Sequence, residues 1–306
     1  MKFPLPGLVA APFTPFRADG ELALDVVPVQ ARALVANGVI AAFVCGTTGE
    51  GSSMTNDERE RVTEAWVAAR PAGLKVIAHV GHLSVGDSRA LARHAQDVGA
   101  DAIAAVAPSF FKPTGVSELV AWCAQVAAAA PKLPFFYYHI PSMTNVTIPT
   151  SAFLAEARAK IPTLAGIKFT HDDLDDFRAT HAIGGSEYQV MFGRDELLLT
   201  ALAAGATGAV GSTYNYAAPV YHRMMRAHAA ADHPTAEREQ ARACAMIDIM
   251  VRFGGQPAGK VIMKLIGIDC GPVRLPMRAL GAAEESALRA ALEAQGFFEF
   301  ASKRAA

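Results

Sequence analysis

Nine lysines are spread along the 306-residue chain, and one of them, Lys168, ends a short apolar run, "LAGIK". A lysine is almost never fully buried without a reason. Burial would disfavour the ammonium form, lower the pKa and free the amine to attack a carbonyl. A carbinolamine and then a Schiff base would follow. The competing assignment is a lysine that snorkels from a rim or pairs with an acid, and sequence position leaves both open. Four aspartates come next within five residues: Asp172, Asp173, Asp175 and Asp176. They lack the glycine and closing glutamate of a calcium loop, and read instead as the N-cap and solvated first turn of a helix.

Other polar groups follow apolar runs in the same way. In "FFYYHIP" the two-residue period of a strand sends Tyr137 and Tyr138 to opposite faces, so one phenol points inward and the other toward packing neighbours. A phenol beside an amine nucleophile can shuttle protons, whereas a lone strand tyrosine can equally be packing with one satisfied hydroxyl. The turn "GTTGE" (residues 46–50) offers backbone N–H groups and the hydroxyls of Thr47 and Thr48, suited to a carboxylate. It can also be a strand-to-helix turn with threonine caps. "GRDE" (residues 193–196) carries Asp195 and Glu196, two carboxylates able to hold several hydroxyls, or a helix start favoured by the dipole. "GSTYN" (residues 211–215) has the same two readings. His79, His82 and His139 have no metal-type spacing with a nearby carboxylate, so they read as core or loop histidines.

What could hold these groups together is visible in a recurring phrase. "NGVIAAFVCGT", "GADAIAAVAP" and "GATGAVGST" each place a glycine after a helical stretch and then a short apolar run. Such a glycine suits a helix C-terminus, and the run suits a strand buried on both faces of a parallel sheet. The pattern predicts eight strands, at 7–11, 39–45, 75–80, 102–106, 135–139, 164–168, 188–192 and 208–212, with alanine-rich helices between most of them. The expected fold is an α/β (β/α)8 TIM barrel over residues 1–215, with a C-terminal helical extension over 216–306 packed on it as one structural unit. An open doubly wound sheet is less well matched, because no G-x-G-x-x-G follows the first strand. In such a barrel the active site lies at the C-terminal strand ends, where Lys168, Tyr138 and the three turns all fall.

Composition narrows the class. Hydrophobic residues are 52% and charged residues 19%, enough apolar surface for a large core. The net charge of −1 and the lack of a basic block with aromatics argue against nucleic acid. No apolar run approaches a membrane span. Four scattered cysteines without metal-type pairing, and prolines at 4, 6 and 12 where a signal peptide would need a helix, point to a cytoplasmic protein with reduced thiols.

"GTTGE" after strand two, a tyrosine just before x-x-P at the end of strand five, and "GIK" ending strand six together resemble the dihydrodipicolinate synthase/N-acetylneuraminate lyase family of Schiff-base (β/α)8 enzymes. The resemblance runs from "GLVAAPFTPF" to "GPVRLP". Synthase members usually carry an arginine shortly after the tyrosine, where this chain has Ser142 and Met143, and a tyrosine pair where it has Phe110 and Phe111. "YYHIP", "GIKFTHDDLDDF" and "FGRDELLLTAL" look more like the lyase branch. The resemblance implies Lys168 as Schiff-base lysine and Tyr138 as its proton-relay partner, with Thr47 and Thr48 on the substrate carboxylate. It also implies Thr170 near the bond being cleaved, and Gly193, Asp195, Glu196 and Ser212 on a polyhydroxy tail. The implied reaction is reversible cleavage of N-acetylneuraminate to pyruvate and N-acetylmannosamine, acting on a small 2-keto acid without metal or cofactor. Another pyruvate-dependent aldolase or dehydratase, with the synthase itself less favoured, and a non-catalytic sensor are the alternatives. A homotetramer is expected by analogy alone.

Overall fold

In the computed structural model, which describes residues 1–304, eight parallel strands close into a barrel. They are β1 (Gly7–Ala10), β2 (Ala41–Val44), β3 (Lys75–His79), β4 (Ala102–Val106), β5 (Phe135–His139), β6 (Leu164–Phe169), β7 (Gln189–Phe192) and β8 (Gly208–Gly211). Each predicted strand is present within about two residues of its expected ends. Pairing of β1 with β8 completes the ring.

Around it run α1 (Val27–Ala36), α2 (Asn56–Ala69), α3 (Val85–Asp97), α4 (Val116–Ala128), the short α5 (Pro141–Thr144), α6 (Thr150–Lys160), α7 (Leu174–Gly184), α8 (Leu198–Ala203) and α9 (Tyr214–Ala229). Helix α9 follows β8 and packs against β1. Three more helices, α10 (His233–Arg252), α11 (Gln256–Leu265) and α12 (Ala282–Ala294), form the extension.

Strand alternation divides the core in two. Along β5, Phe136 and Tyr138 join an inner cluster with Val9, Phe43, Ile77, Met191 and Val210. Phe135 and Tyr137 join the outer cluster between strands and helices, where Tyr137 lies 4.4 Å from the Phe153 ring. Strands with both faces covered need apolar residues at every position, which is why they read as unbroken runs. Register then sets the chemistry: Tyr138 of β5 pairs with Lys168 of β6, so both side chains enter the barrel in one layer.

The aspartates correct one expectation. Asp173 caps α7, accepting from the Asp175 and Asp176 N–H groups, as the sequence suggests. Asp176 is not simply solvated. It is half-buried and accepts from the backbone N–H and hydroxyl of both Thr150 and Ser151 at 2.6–3.0 Å. Helix α6 begins after Pro149 without a side-chain cap of its own, so the neighbouring helix supplies an acceptor for its orphan N–H groups.

Candidate active site

A cavity of about 280 Å³ opens at the C-terminal strand ends. Lys168, Tyr138, Thr47, Thr48, Thr170, Gly193, Asp195, Glu196 and Ser212 all line it. The nine residues expected to act on the substrate therefore meet in one place. A larger groove, about 680 Å³, lies beside Arg17 and Lys264, but no residue of the eight strands lines it, so it lacks the strand-end chemistry.

Lys168 is 4% exposed. Its Nζ stands 4.0 Å from the centroid of the Tyr138 ring and 4.1 Å from that of Phe43, above aromatic faces. Burial pulls its pKa down to about 7, and the charge of Asp195 pulls the other way. A useful fraction of neutral amine therefore exists near neutral pH, the state a nucleophile requires. His79 packs edge-on against Tyr138, with its Nδ1 3.1 Å from the Cys45 carbonyl. Burial, reinforced by the charges of Arg59 and Lys168, keeps that imidazole neutral.

Tyr138 is 2% exposed, and its hydroxyl lies 3.2 Å from Thr47 Oγ1. Burial raises the phenol to about 12 against the opposing hydrogen bonds from Thr47 and Thr170, so it stays protonated and available as a donor. The Thr47 hydroxyl is thus already engaged with the tyrosine, a contact the linear sequence does not reveal. Thr48, on the same turn, is half-buried beside the cavity.

Thr170 follows the last residue of β6 and lies two positions beyond Lys168, on the same side of the strand. Its Oγ1 is buried next to the Tyr138 hydroxyl, which it helps to polarise, and has no well-aligned hydrogen bond among the described residues. Phe169, between them, packs outward against Phe177 and Phe192. Gly193 makes room for the threonine, because a Cβ there would fall 2.1 Å from Thr170 Oγ1.

Asp195 is 6% exposed; one carboxylate oxygen accepts from the Thr213 hydroxyl at 2.5 Å, while the other has no well-aligned hydrogen bond among the described residues, with the Tyr214 hydroxyl close by. Burial lifts its pKa to about 6, opposed mainly by the Thr213 hydrogen bond. Gly211 admits it, since a Cβ at that position would overlap the carboxylate at 2.0 Å. Glu196 is half-buried and paired with Arg194 at 2.8 Å. Thr170 and Asp195 line the same cavity, and each keeps a buried oxygen without a well-aligned hydrogen bond among the described residues, which suits a ligand with several hydroxyls.

Sequence reasoning missed part of the lining. Ile247, Met250 and Val251 of α10 give the cavity an apolar side, joined by Ile140, Ser142 and Met143. The signal was present as helical spacing in "CAMIDIMVRF", but nothing local marks a helix of the extension as part of a strand-end site.

The sequence profile of the dihydrodipicolinate synthetase family matches residues 4–295. The N-acetylneuraminate lyase of Mus musculus is 44% identical over 286 residues, covering 91% of this chain and 89% of that protein. Among solved structures, Proteus mirabilis N-acetylneuraminate lyase superposes with a TM-score of 0.93 at 42% identity, over 96% of this chain and 99% of that one. The sialic acid aldolase from Aliivibrio salmonicida gives 0.93 at 40% identity, over 96% and 97%. A match over nearly the whole length, on a barrel with a buried lysine at the end of its sixth strand, leads to one conclusion: the chain belongs to the dihydrodipicolinate synthetase family.

Proposed function

We propose that this chain is a Schiff-base aldolase that reversibly cleaves N-acetylneuraminate to pyruvate and N-acetylmannosamine. One observation carries the reading: Lys168, buried over two aromatic rings, has its pKa drawn down to about 7 at the floor of a strand-end cavity. The named lyases similar to this chain over nearly its full length support the substrate.

In the proposed reaction the neutral amine attacks C2 of the open-chain keto acid. Loss of water gives the protonated imine. Tyr138 relays the proton leaving the C4 hydroxyl; the C3–C4 bond then breaks, and its electron pair enters the iminium to give an enamine and the free aldehyde sugar. Protonation of the enamine carbon and hydrolysis release pyruvate and regenerate the amine. The iminium supplies the polarisation that a metal would otherwise provide, so these steps call for no cofactor. The Thr47–Thr48 turn would hold the carboxylate, Thr170 the hydroxyl near the cleaved bond, and Gly193, Asp195, Glu196 and Ser212 the polyhydroxy tail.

The same reading extends to assembly and setting. Phe110 and Phe111, 73% and 86% exposed and stacked edge-to-face, suit contact with another copy of the chain, while the homotetramer itself rests on family analogy. Four free thiols, three of them buried, support a reducing, cytoplasmic setting. No helix among the described residues is long and apolar enough to cross a membrane.

Borohydride reduction in the presence of pyruvate is the direct test. The reading expects a stable adduct on Lys168, and pyruvate release from N-acetylneuraminate faster than from other sugar-derived keto acids. Absence of any adduct, or an adduct that survives Lys168→Ala, overturns it.

A further inference from the structure

The turn that carries Thr47 and Thr48 is held from behind by the helical extension. Gln256, in the first turn of α11, donates from Nε2 to the Thr47 carbonyl at 2.7 Å. The Glu50 N–H also reaches that carbonyl, at 3.1 Å. Glu50 has a left-handed backbone, φ 54°, and its side chain is buried outside the cavity lining. There one carboxylate oxygen lies 2.8 Å from Lys260 Nζ, an ion pair whose side chains are 0% and 2% exposed. The other accepts the Arg274 N–H at 2.9 Å. Lys260 also donates to the Pro272 carbonyl at 2.7 Å and lies 4.3 Å from the Phe16 ring centroid.

A buried ion pair is a weak source of stability, because desolvation offsets its attraction; its best-attested use is to fix register. Here the register in question is that of one turn. Thr47 is gripped at both ends, its hydroxyl by Tyr138 and its carbonyl by Gln256. None of Glu50, Gln256 or Lys260 lines the cavity.

We propose that Gln256, Lys260 and Glu50 are positioning residues through which α11 places the Thr47–Thr48 turn and so sets affinity for the carboxylate of the keto acid. The inference rests on the Schiff-base reading above, in which that turn holds the carboxylate. Small displacements of an oriented group are enough to weaken binding without removing any catalytic atom.

Pyruvate is the probe, because it has the carboxylate and keto group but no sugar tail. Enamine formation exchanges its methyl hydrogens with solvent deuterium, which proton NMR follows in the intact enzyme. The expected result for Gln256→Leu is a KM for exchange raised about threefold to tenfold, with kcat within about twofold of wild type and the melting temperature little changed. Glu50→Gln/Lys260→Met, which removes both charges together, should raise KM at least as far. A merely structural role would lower the melting temperature without separating KM from kcat. The single variant keeps the test decisive if the double variant folds poorly, since losing Gln256 strands no charge. Wild-type KM in folded Gln256→Leu, or a fall confined to kcat, overturns this inference alone. Failure of the wild-type enzyme to exchange overturns the Schiff-base reading and this inference with it.

Discussion

Two lysines in this molecule are buried to nearly the same degree, Lys168 at 4% and Lys260 at 3% exposure, and both stand over aromatic rings. Their surroundings diverge from there. Lys260 has a carboxylate at 2.8 Å and a carbonyl at 2.7 Å, and it sits on a helix outside the barrel. Lys168 stands over the rings of Phe43 and Tyr138 inside the barrel, and the charge of Asp195 acts on it without a direct ion pair. Burial lowers both pKa values, but for Lys260 the Glu50 carboxylate, by charge and by hydrogen bond, opposes the shift. Burial alone therefore does not make a lysine a nucleophile. What matters is whether the protein compensates the ammonium ion or leaves it uncompensated, and only the second arrangement favours a reactive amine.

The sharpest way to break this comparison is to delete each amine in turn. Lys168→Met should lower pyruvate release by about 10³-fold or more, because the covalent route disappears. The same variant should be as stable as wild type or more so. Holding Lys168 near 7 instead of its ordinary 10.5 costs folding roughly 4 kcal/mol at neutral pH. The sign follows from proton counting: between those values the unfolded chain keeps a proton that the folded chain has released. Stability therefore rises with pH across that window in wild type, and the variant should lose this rise. Thermal melting at pH 7 and pH 9 reads both effects, and a destabilised Lys168→Met at pH 7 contradicts the uncompensated-lysine view.

Lys260→Met should do the reverse. Leaving Glu50 buried without its partner is expected to cost about 3–5 kcal/mol, and Glu50→Gln in the same chain should restore most of it. Denaturant unfolding of the two variants measures this. Equal stability of the single and double variants would mean that the pair is not coupled.

The contrast also marks what was legible in the sequence. Lys168 could be picked out because a strand is a short signal, and an apolar run ending in one lysine places that side chain at a barrel mouth. The eight strands were legible for the same reason, since a sheet buried on both faces leaves unbroken apolar runs. Thr170 was named by the family resemblance, and a period of two puts it on the same side as Lys168. Lys260 was not legible. It lies in "PAGKVIMKL", where Lys264 four residues later is an exposed partner of Glu285, and a helix gives both lysines the same face. Which one is buried depends on the docking of α11 against the barrel, a long-range fact. The Thr47–Tyr138 hydroxyl contact spans 91 positions and was hidden likewise, as was the apolar wall from α10. The acidic cluster was half legible: its cap at Asp173 is local, whereas the reach of Asp176 to α6 is tertiary.

The smallest expected effect tests the one charge that does act on Lys168. Asp195, with its pKa lifted to about 6 by burial, is ionised above that pH, and its negative charge then raises the lysine. In wild type, deuterium exchange into the pyruvate methyl group should show an acid limb in kcat/KM near pH 7, because only the free enzyme's neutral amine forms the imine. Tyr138, at about 12, remains protonated throughout the accessible range and adds no second limb there. Asp195→Asn removes the charge while keeping the shape, so the ammonium form loses support and the limb should move to lower pH, by about one unit or less. Pyruvate has no polyhydroxy tail, so loss of a tail contact cannot account for the displacement. A limb that stays in place would mean that burial alone sets Lys168. A limb that moves upward would mean that the carboxylate opposes protonation of the amine, contrary to the geometry of the site.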